Sequence, residues 1–238
     1  MLELYYDFHI HSCLSPCGDD DMTPNNIVGM AVLAGYDVIA IADHNSCGNC
    51  RAVMQAAAQT NLLVIPAMEL TTSEEVHVLC LFPDLDAADL FSQYVYRRLP
   101  DIQNQPNIFG KQLYLNAQDE VVREEGKLLI SATDIGIYQV CDLMKQYGGV
   151  AIPSHVDRNS FSLISNLGFY DADMGFTALE LTARCDSEKF KQVNNIPIPH
   201  IVNSDAHALN MIPDPVNRIC VGSFCVRGVI DAVENGVF

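Results

Sequence analysis

The sequence predicts an α/β fold of strand–helix units that carries its chemistry at the C-terminal ends of the strands. Three observations predict it. Apolar runs of strand length, such as Asp37–Ala42 and Leu62–Ala67, alternate with segments of helical spacing. Those runs are apolar at nearly every position, as strands buried on both faces of a parallel sheet are. Six of the seven histidines lie at or beside the ends of such runs, where parallel α/β folds place their sites.

The first strand runs through Leu4-Tyr5-Tyr6 into Asp7-Phe8-His9-Ile10-His11. Alternation puts His9 and His11 on one face and Phe8 and Ile10 on the other. A loop with Asp19, Asp20 and Asp21 follows. Thr23-Pro24 reads as a helix cap with proline at the first helical position, and Gly35 ends that helix. The strand Asp37–Ala42 leads into Asp43-His44-Asn45, and Ser46 is expected to cap a second helix reaching to Thr60. A third strand, Leu62–Ala67, ends in Glu69, and a fourth spans Val76–Phe82. A helix follows over Ala87–Arg98.

Residues 100–129 break the rhythm. Gln112–Leu115 and Glu120–Arg123 flank Asn116-Ala-Gln-Asp119 and read as a β-hairpin insertion, either a lid over the site or a surface decoration. Alternation resumes with a helix over Thr133–Tyr147, a strand Val150–Pro153 ending in Ser154-His155, and a helix over Phe161–Leu167. A strand Thr177–Thr182, a helix Ser187–Val193 and a run His200–Asn203 lead to Ser204-Asp205-Ala206-His207. Arg218–Val221 and a helix over Val226–Asn235 complete the pattern. With no repeat or linker, the 238 residues are expected to form a single domain, 1–238.

Composition narrows the function classes. A net charge of −17 disfavours long nucleic acid, which is held by Lys and Arg against phosphates. Bound divalent ions would reverse the sign locally. No apolar run is long enough for a membrane span, and the first residues lack the pattern of a signal peptide, so no membrane partner and a cytoplasmic location are expected. The nine cysteines then read as free thiols. The spacings Cys13-x3-Cys17 and Cys47-x2-Cys50 also allow a four-cysteine zinc site or a redox pair, although neither has the strand–turn context of a zinc ribbon. Cys80, Cys141, Cys185, Cys220 and Cys225 read as small core residues. With no Walker-type or Gly-x-Gly-x-x-Gly loop, no nucleotide cofactor is implied.

The chemistry lies in the polar residues at the strand ends. One histidine near an apolar strand is ordinary. His9, His11, His44, His77, His155 and His207, with Asp43, Glu69 and Asp205 among them, are not, because burying so many polar groups without a cation is costly. The pattern points to a multinuclear site for zinc, manganese or iron. Arg158 and Arg184 each follow a strand end and can clamp a substrate phosphate or carboxylate.

These motifs carry a family resemblance. Asp-Phe-His-Ile-His-Ser at 7–12, Asp19 followed by Thr23-Pro24, Ala-Asp-His-Asn at 42–45, Ala-Met-Glu at 67–69, Glu-Val-His-Val-Leu at 75–79, Pro-Ser-His at 153–155 and Ser-Asp-Ala-His at 204–207 resemble, in order and spacing, the motifs of the PHP (polymerase and histidinol phosphatase) family. The resemblance implies a distorted (β/α)7 barrel with three divalent metal ions at its C-terminal mouth. It implies that His9, His11, Glu69 and Asp205 hold one ion, Glu69, His77 and His155 a second, and Asp19, His44 and His207 a third. Two positions depart from the family pattern. Ala42 replaces the usual threonine before Asp-His, and Ser15 is followed by Pro-Cys-Gly-Asp-Asp-Asp rather than Asp-Gly, leaving Asp19, Asp20 and Asp21 as alternatives. The implied activity is metal-dependent hydrolysis of a small phosphomonoester by hydroxide, with Asp205 or His207 moving a proton and Asp43 orienting a ligand histidine. The alternatives are a nuclease acting on short oligonucleotides and a non-catalytic metal-binding module.

Overall fold

Alternation along the strands sorts their side chains into two apolar layers. The computed structural model describes residues 1–237; Phe238, the last residue of the expected domain, lies outside the described residues. In β2 (Val38–Ile41), Val38 and Ala40 join an inner cluster, whereas Ile39 and Ile41 join an outer one. β3 (Leu63–Thr71) and β4 (His77–Leu81) split the same way: Ile65, Ala67, Leu79 and Leu81 lie inside, and Val64, Met68, Val78 and Cys80 outside. The outer layer packs under α1 (Pro24–Ala34), α2 (Cys50–Ala56) and α3 (Leu85–Tyr96). The inner layer is filled by Val229, Ile230 and Val233 of α8 (Val226–Glu234). Glu69 and His77 continue the inner-facing rows of β3 and β4 at the other end, so the sheet that builds the core also aims the site.

Six strands form one curled half-barrel sheet in the order β10-β1-β2-β3-β4-β7, where β1 is Leu2–Ile10, β7 Val150–Pro153 and β10 Arg218–Val221. β8 (Leu179–Leu181) and β9 (His200–Val202) form a separate parallel pair. It is tied to the sheet at the mouth: Val156 N donates to Glu180 O at 2.9 Å, and His11 N to Ala206 O at 2.9 Å.

The sheet is not the run of parallel strands that the sequence suggests. β3 and β4 pair antiparallel, Glu69 opposite Leu79. Residues 72–76 are too few for a crossover. They close a hairpin instead, with Thr72 N donating to Val76 O at 2.9 Å and Glu75 at φ 58°. β10 also runs antiparallel, along the outer edge of β1. A register shift between Asp7 and Ile10 bulges β1, so Phe8 falls in the inner cluster and Ile10 in the outer one. Phe8 and Ile10 therefore do not share a face, while His9 and His11 still converge.

Several boundaries move because polar side chains are engaged elsewhere. Ser46 caps no helix: its Oγ accepts from Gly48 N at 3.1 Å, and α2 begins at Cys50. Thr133 Oγ1 donates to Thr71 O at 2.8 Å, which holds it in the loop, so α5 (Ile137–Gln146) starts later than expected. Cys225 is exposed, not core, and caps α8. Cys47 and Cys50 are buried in the outer layer, with Cys50 Sγ donating to Ile41 O and Ala67 O at 3.4 Å each. Among the described residues no helix is long and apolar enough to cross a membrane.

The insertion holds a short helix, α4 (Pro106–Phe109), and the expected hairpin of β5 (Leu113–Leu115) and β6 (Val121–Glu124). It is strapped to the body. Asn49 Nδ2 donates to Leu113 O at 3.0 Å, and its Oδ1 accepts from Leu115 N at 2.9 Å. At the hairpin tip, Asp119 accepts from Asn25 N at 3.0 Å and Thr23 Oγ1 at 2.9 Å, capping α1 from outside, since Thr23 makes no cap of its own. Asp119→Ala is expected to destabilise the protein by about 2 kcal/mol, combining a lost cap with a left-handed backbone that alanine resists. Asp119→Asn, which tolerates that backbone, should lose less. Equal thermal denaturation of wild type and Asp119→Ala would refute the tether.

Candidate metal centre

Glu69 is the centre of the site. It lies at the mouth end of β3, 1% exposed, with histidines from four segments around it. His9 Nε2 is 3.2 Å from Oε1, His77 Nδ1 3.1 Å and His155 Nε2 3.2 Å. His11 Nε2 is 3.4 Å from Oε2, and His44 Nδ1 3.1 Å. Asp205 Oδ1 faces the same space, 3.4 Å from His9 Nε2 and 3.1 Å from His11 Nε2.

Three groups have candidate ligand atoms within 4.8 Å of one another: His9, His11, Glu69 and Asp205; His44, Glu69 and His77; and His11, His44 and His207. His155 joins through its contact with Glu69. The expected partition thus differs in detail, because His44 also stands with Glu69 and His77. Asp19 belongs to none of these groups. It is exposed, and its carboxylate accepts from Asp21 N at 3.0 Å. Asp20 pairs with Lys111 at 3.1 Å, and Asp21 is exposed.

The buried atoms fit cations. His44 Nδ1, both ring nitrogens of His77, His155 Nδ1 and Asp205 Oδ1 are buried without a hydrogen bond. His44 Nδ1 and His77 Nδ1 lie close to Glu69 yet do not hydrogen-bond to it. Buried polar atoms left unbonded beside Glu69, such as His44 Nδ1, His77 Nδ1 and Asp205 Oδ1, fit ligation of a metal ion.

Neighbouring groups set which nitrogen faces inward. Glu180 is 1% exposed, and its carboxylate lies 2.9 Å from His9 Nδ1, so the Nδ1 proton is held there and Nε2 presents its lone pair. Glu180 also accepts from His155 N at 3.0 Å, which pins His155 at φ 30°, and from Asn203 Nδ2 at 2.7 Å. Sequence reasoning assigned Glu180 no role. Its signal was a lone carboxylate within the apolar strand Thr177–Thr182. Asp43 touches no histidine. Its carboxylate accepts from Ser12 N (2.8 Å), Ser12 Oγ (2.6 Å) and Ser15 Oγ (2.7 Å). Ser15 has then spent its proton, so its Oγ accepts from His11 Nδ1 at 2.9 Å and leaves His11 Nε2 free for an ion. Asp43 thus positions His11 through Ser15.

Arg158 Nη1 donates to Asp205 Oδ2 at 2.5 Å. Its side chain lines both the metal cavity, about 160 Å³, and an adjoining cavity of about 500 Å³ walled by Thr182, Arg184, Met211 and Pro213. His207 stacks on His11 at 4.0 Å and is partly exposed at the rim. Phe161 stacks on His77 at 4.9 Å.

No family model matches the sequence. It is 27% identical over 177 residues to an uncharacterised Bacillus subtilis protein, YqxK, an overlap of 69% of this chain and 38% of that protein. Solved structures match over 98% of the chain. Lesion-specific endonuclease Q of Pyrococcus furiosus has a TM-score of 0.68 at 18% identity, over 56% of its own length. A candidate metal-dependent phosphoesterase of Bifidobacterium adolescentis has 0.61 at 18%, over 96% of its length. An amidohydrolase of Chromobacterium violaceum has 0.61 at 16%, over 97% of its length. The chain shares the overall fold of these three structures. It spans well under two thirds of YqxK and of endonuclease Q.

Charge in this site follows from burial and neighbours. Burial opposes a charged His9, but Glu180, Glu69 and Asp205 outweigh it and raise the ring's pKa well above its ordinary value. Burial, then the charge of His207, push His11 down to about 3. Burial works against ionised Glu69, yet His77, His9 and the His155 hydrogen bond hold it well below the carboxylate range. In metal-free protein these neighbours favour the protonated ring of His9, and an ion binding at Nε2 would displace a proton. This raised pKa stabilises the metal-free fold below the ordinary histidine value, and the contribution fades as pH rises through the folded value. Metal affinity should move the opposite way and rise with pH. Titration calorimetry in buffers of different ionisation enthalpy should give buffer-dependent heats; identical heats would refute proton release. Glu180→Gln should weaken metal binding about 10- to 100-fold with the fold retained, and unchanged affinity would remove its orienting role.

Proposed function

We propose that the protein is a metal-dependent phosphoesterase that hydrolyses a small phosphomonoester. One observation carries the reading: a carboxylate ringed by five imidazoles opens, past an arginine, into a second cavity sized for a small leaving group. His9, His11, Glu69 and Asp205 would hold one divalent ion and Glu69, His77 and His155 another, with Glu69 between them; His11, His44 and His207 would contribute to a third, with Asp19 the carboxylate suggested by sequence. Such ions, zinc, manganese or iron, acidify water and polarise a phosphoryl group.

The chain's own residues do the rest. Arg158, fixed by Asp205, meets a phosphoryl oxygen at the junction of the two cavities. Arg184, across the second cavity, takes an anionic or polar part of the leaving group. His207 at the rim, or Asp205 beside it, passes a proton to the departing oxygen. Phe161 against His77 limits bulk water. We also read β1, β2, β3, β4, β7, β8 and β9 as the seven strands of one distorted barrel, with β10 added at its edge, in a single domain of a cytoplasmic protein.

Similarity of fold to endonuclease Q favours a second reading, a nuclease acting on short oligonucleotides. The charge of −17 weighs against long duplexes. Manganese- or zinc-loaded protein should release phosphate from histidinol phosphate or a nucleoside 3',5'-bisphosphate, and His207→Ala should lower the rate about 100-fold or more. Mononucleotide release from an oligonucleotide, with the monoesters untouched, would replace the first reading by the second. Protein that binds no metal and is inert on every substrate would exclude both.

A further inference from the structure

We infer that Cys17 supplies the anionic ligand of the His11–His44–His207 group, in the place that sequence reasoning gave to Asp19; this rests on the metal-centre reading above. The other two groups each contain Glu69, and one of them Asp205 as well. The third contains imidazoles alone. A divalent ion held there by neutral rings keeps its whole charge in a largely buried place, which an anionic ligand relieves. Asp19 faces solvent and is engaged with Asp21 N. Cys17, two residues earlier, is on the wall of the metal cavity, together with His44, Asp205 and His207. His44, 3% exposed in the same wall, is shared between this group and the one at Glu69, whose Oε2 lies 3.1 Å from its Nδ1.

The loop is built to hold Cys17 there. Ser15 N donates to Ser12 O at 3.1 Å, Gly18 N to Ser15 O at 2.9 Å and Asp19 N to His207 O at 2.8 Å. A Cβ on Gly18 would come within 2.4 Å of Ser12 O, so the tight fold-back requires glycine beside Cys17. Cys17 is outside the 4.8 Å groups, so coordination requires its side chain to turn about the Cα–Cβ bond, a change of rotamer open to an exposed residue. On coordination the thiol proton leaves to solvent and a sulfur–metal bond forms, with no change of oxidation state. A thiolate in the set favours zinc, iron or cobalt over manganese or magnesium.

Cobalt(II) reads this directly in the full chain. Its visible bands report ions on imidazole and carboxylate, and a near-ultraviolet charge-transfer band reports sulfur. The wild type should show both. Cys17→Ser should lose the charge-transfer band and keep visible bands, while Cys225→Ser keeps both. Cobalt loading of the wild type should also protect Cys17, and not Cys225, from iodoacetamide, a measurement that needs no variant. Visible bands without charge transfer, a charge-transfer band that survives Cys17→Ser, or alkylation of Cys17 unaffected by cobalt would overturn the assignment and leave the metal centre standing. Absence of all cobalt bands and of bound cobalt would remove the centre itself and the assignment with it.

Discussion

A carboxylate cannot stay ionised at 1% exposure unless positive charge or donors surround it, and the arrangement around Glu69 answers that constraint. β1, β3, β4 and the segments after β2 and β7 all end at this point. β1, β4 and the segments after β2 and β7 contribute the rings, β3 carries Glu69 itself, and Asp205 brings a second carboxylate. Behind the rings stand groups that fix their tautomers: Glu180 for His9, and Ser15 with Asp43 for His11. His155 and Asp205 both adopt positive φ, which the surrounding hydrogen bonds sustain. The inner apolar layer at the other end makes the platform rigid enough to hold these groups together.

Much of this was legible because it follows local rules. Apolar runs ending in histidine or carboxylate mark strand ends, and β2, β3, β7 and β9 appear within a few residues of where the pattern puts them. Thr23-Pro24 and Gly35 bracket α1 as their conformational preferences require. What was not legible depends on distant partners. The direction of β4 is set by the five-residue reversal 72–76 with Glu75 in a left-handed conformation, a role with no sequence marker when filled by glutamate. The bulge in β1 is invisible in an alternating string. Ser46 looks like a helix cap and is used in a turn. Glu180 looks like one polar face of a strand, because its two histidine partners are far away in sequence. The motif resemblance points to Asp19, with Asp20 and Asp21 as alternatives, whereas after the tight fold-back at Gly18 all three side chains are exposed.

The insertion is part of the same frame. Asn45, two residues before Cys47, accepts from Thr71 N at 2.9 Å and donates to Leu129 O at 2.6 Å, so one side chain ties the His44 loop to the end of β3 and to the insertion's return. Tyr114 packs so closely on Gly48 that a Cβ there would lie 2.0 Å from its ring. Arg123 stacks over that ring at 3.5 Å. The loop after β2 is therefore clamped from two sides, and the hairpin supports the position of His44.

β1 has a further consequence for how the molecule comes into being. On one side it is paired by β10, and its mouth end is bonded to Ala206; the inner layer it helps form is filled by α8. All three partners are made after nearly every other element. During synthesis the first two histidines emerge early, with a sheet edge open and no counter-charge from Asp205, and they wait for the chain to return. Such long-range closure is slow to form. Until then the group of His9, His11, Glu69 and Asp205 lacks its second carboxylate, whereas the group of His44, Glu69 and His77 already has all its members.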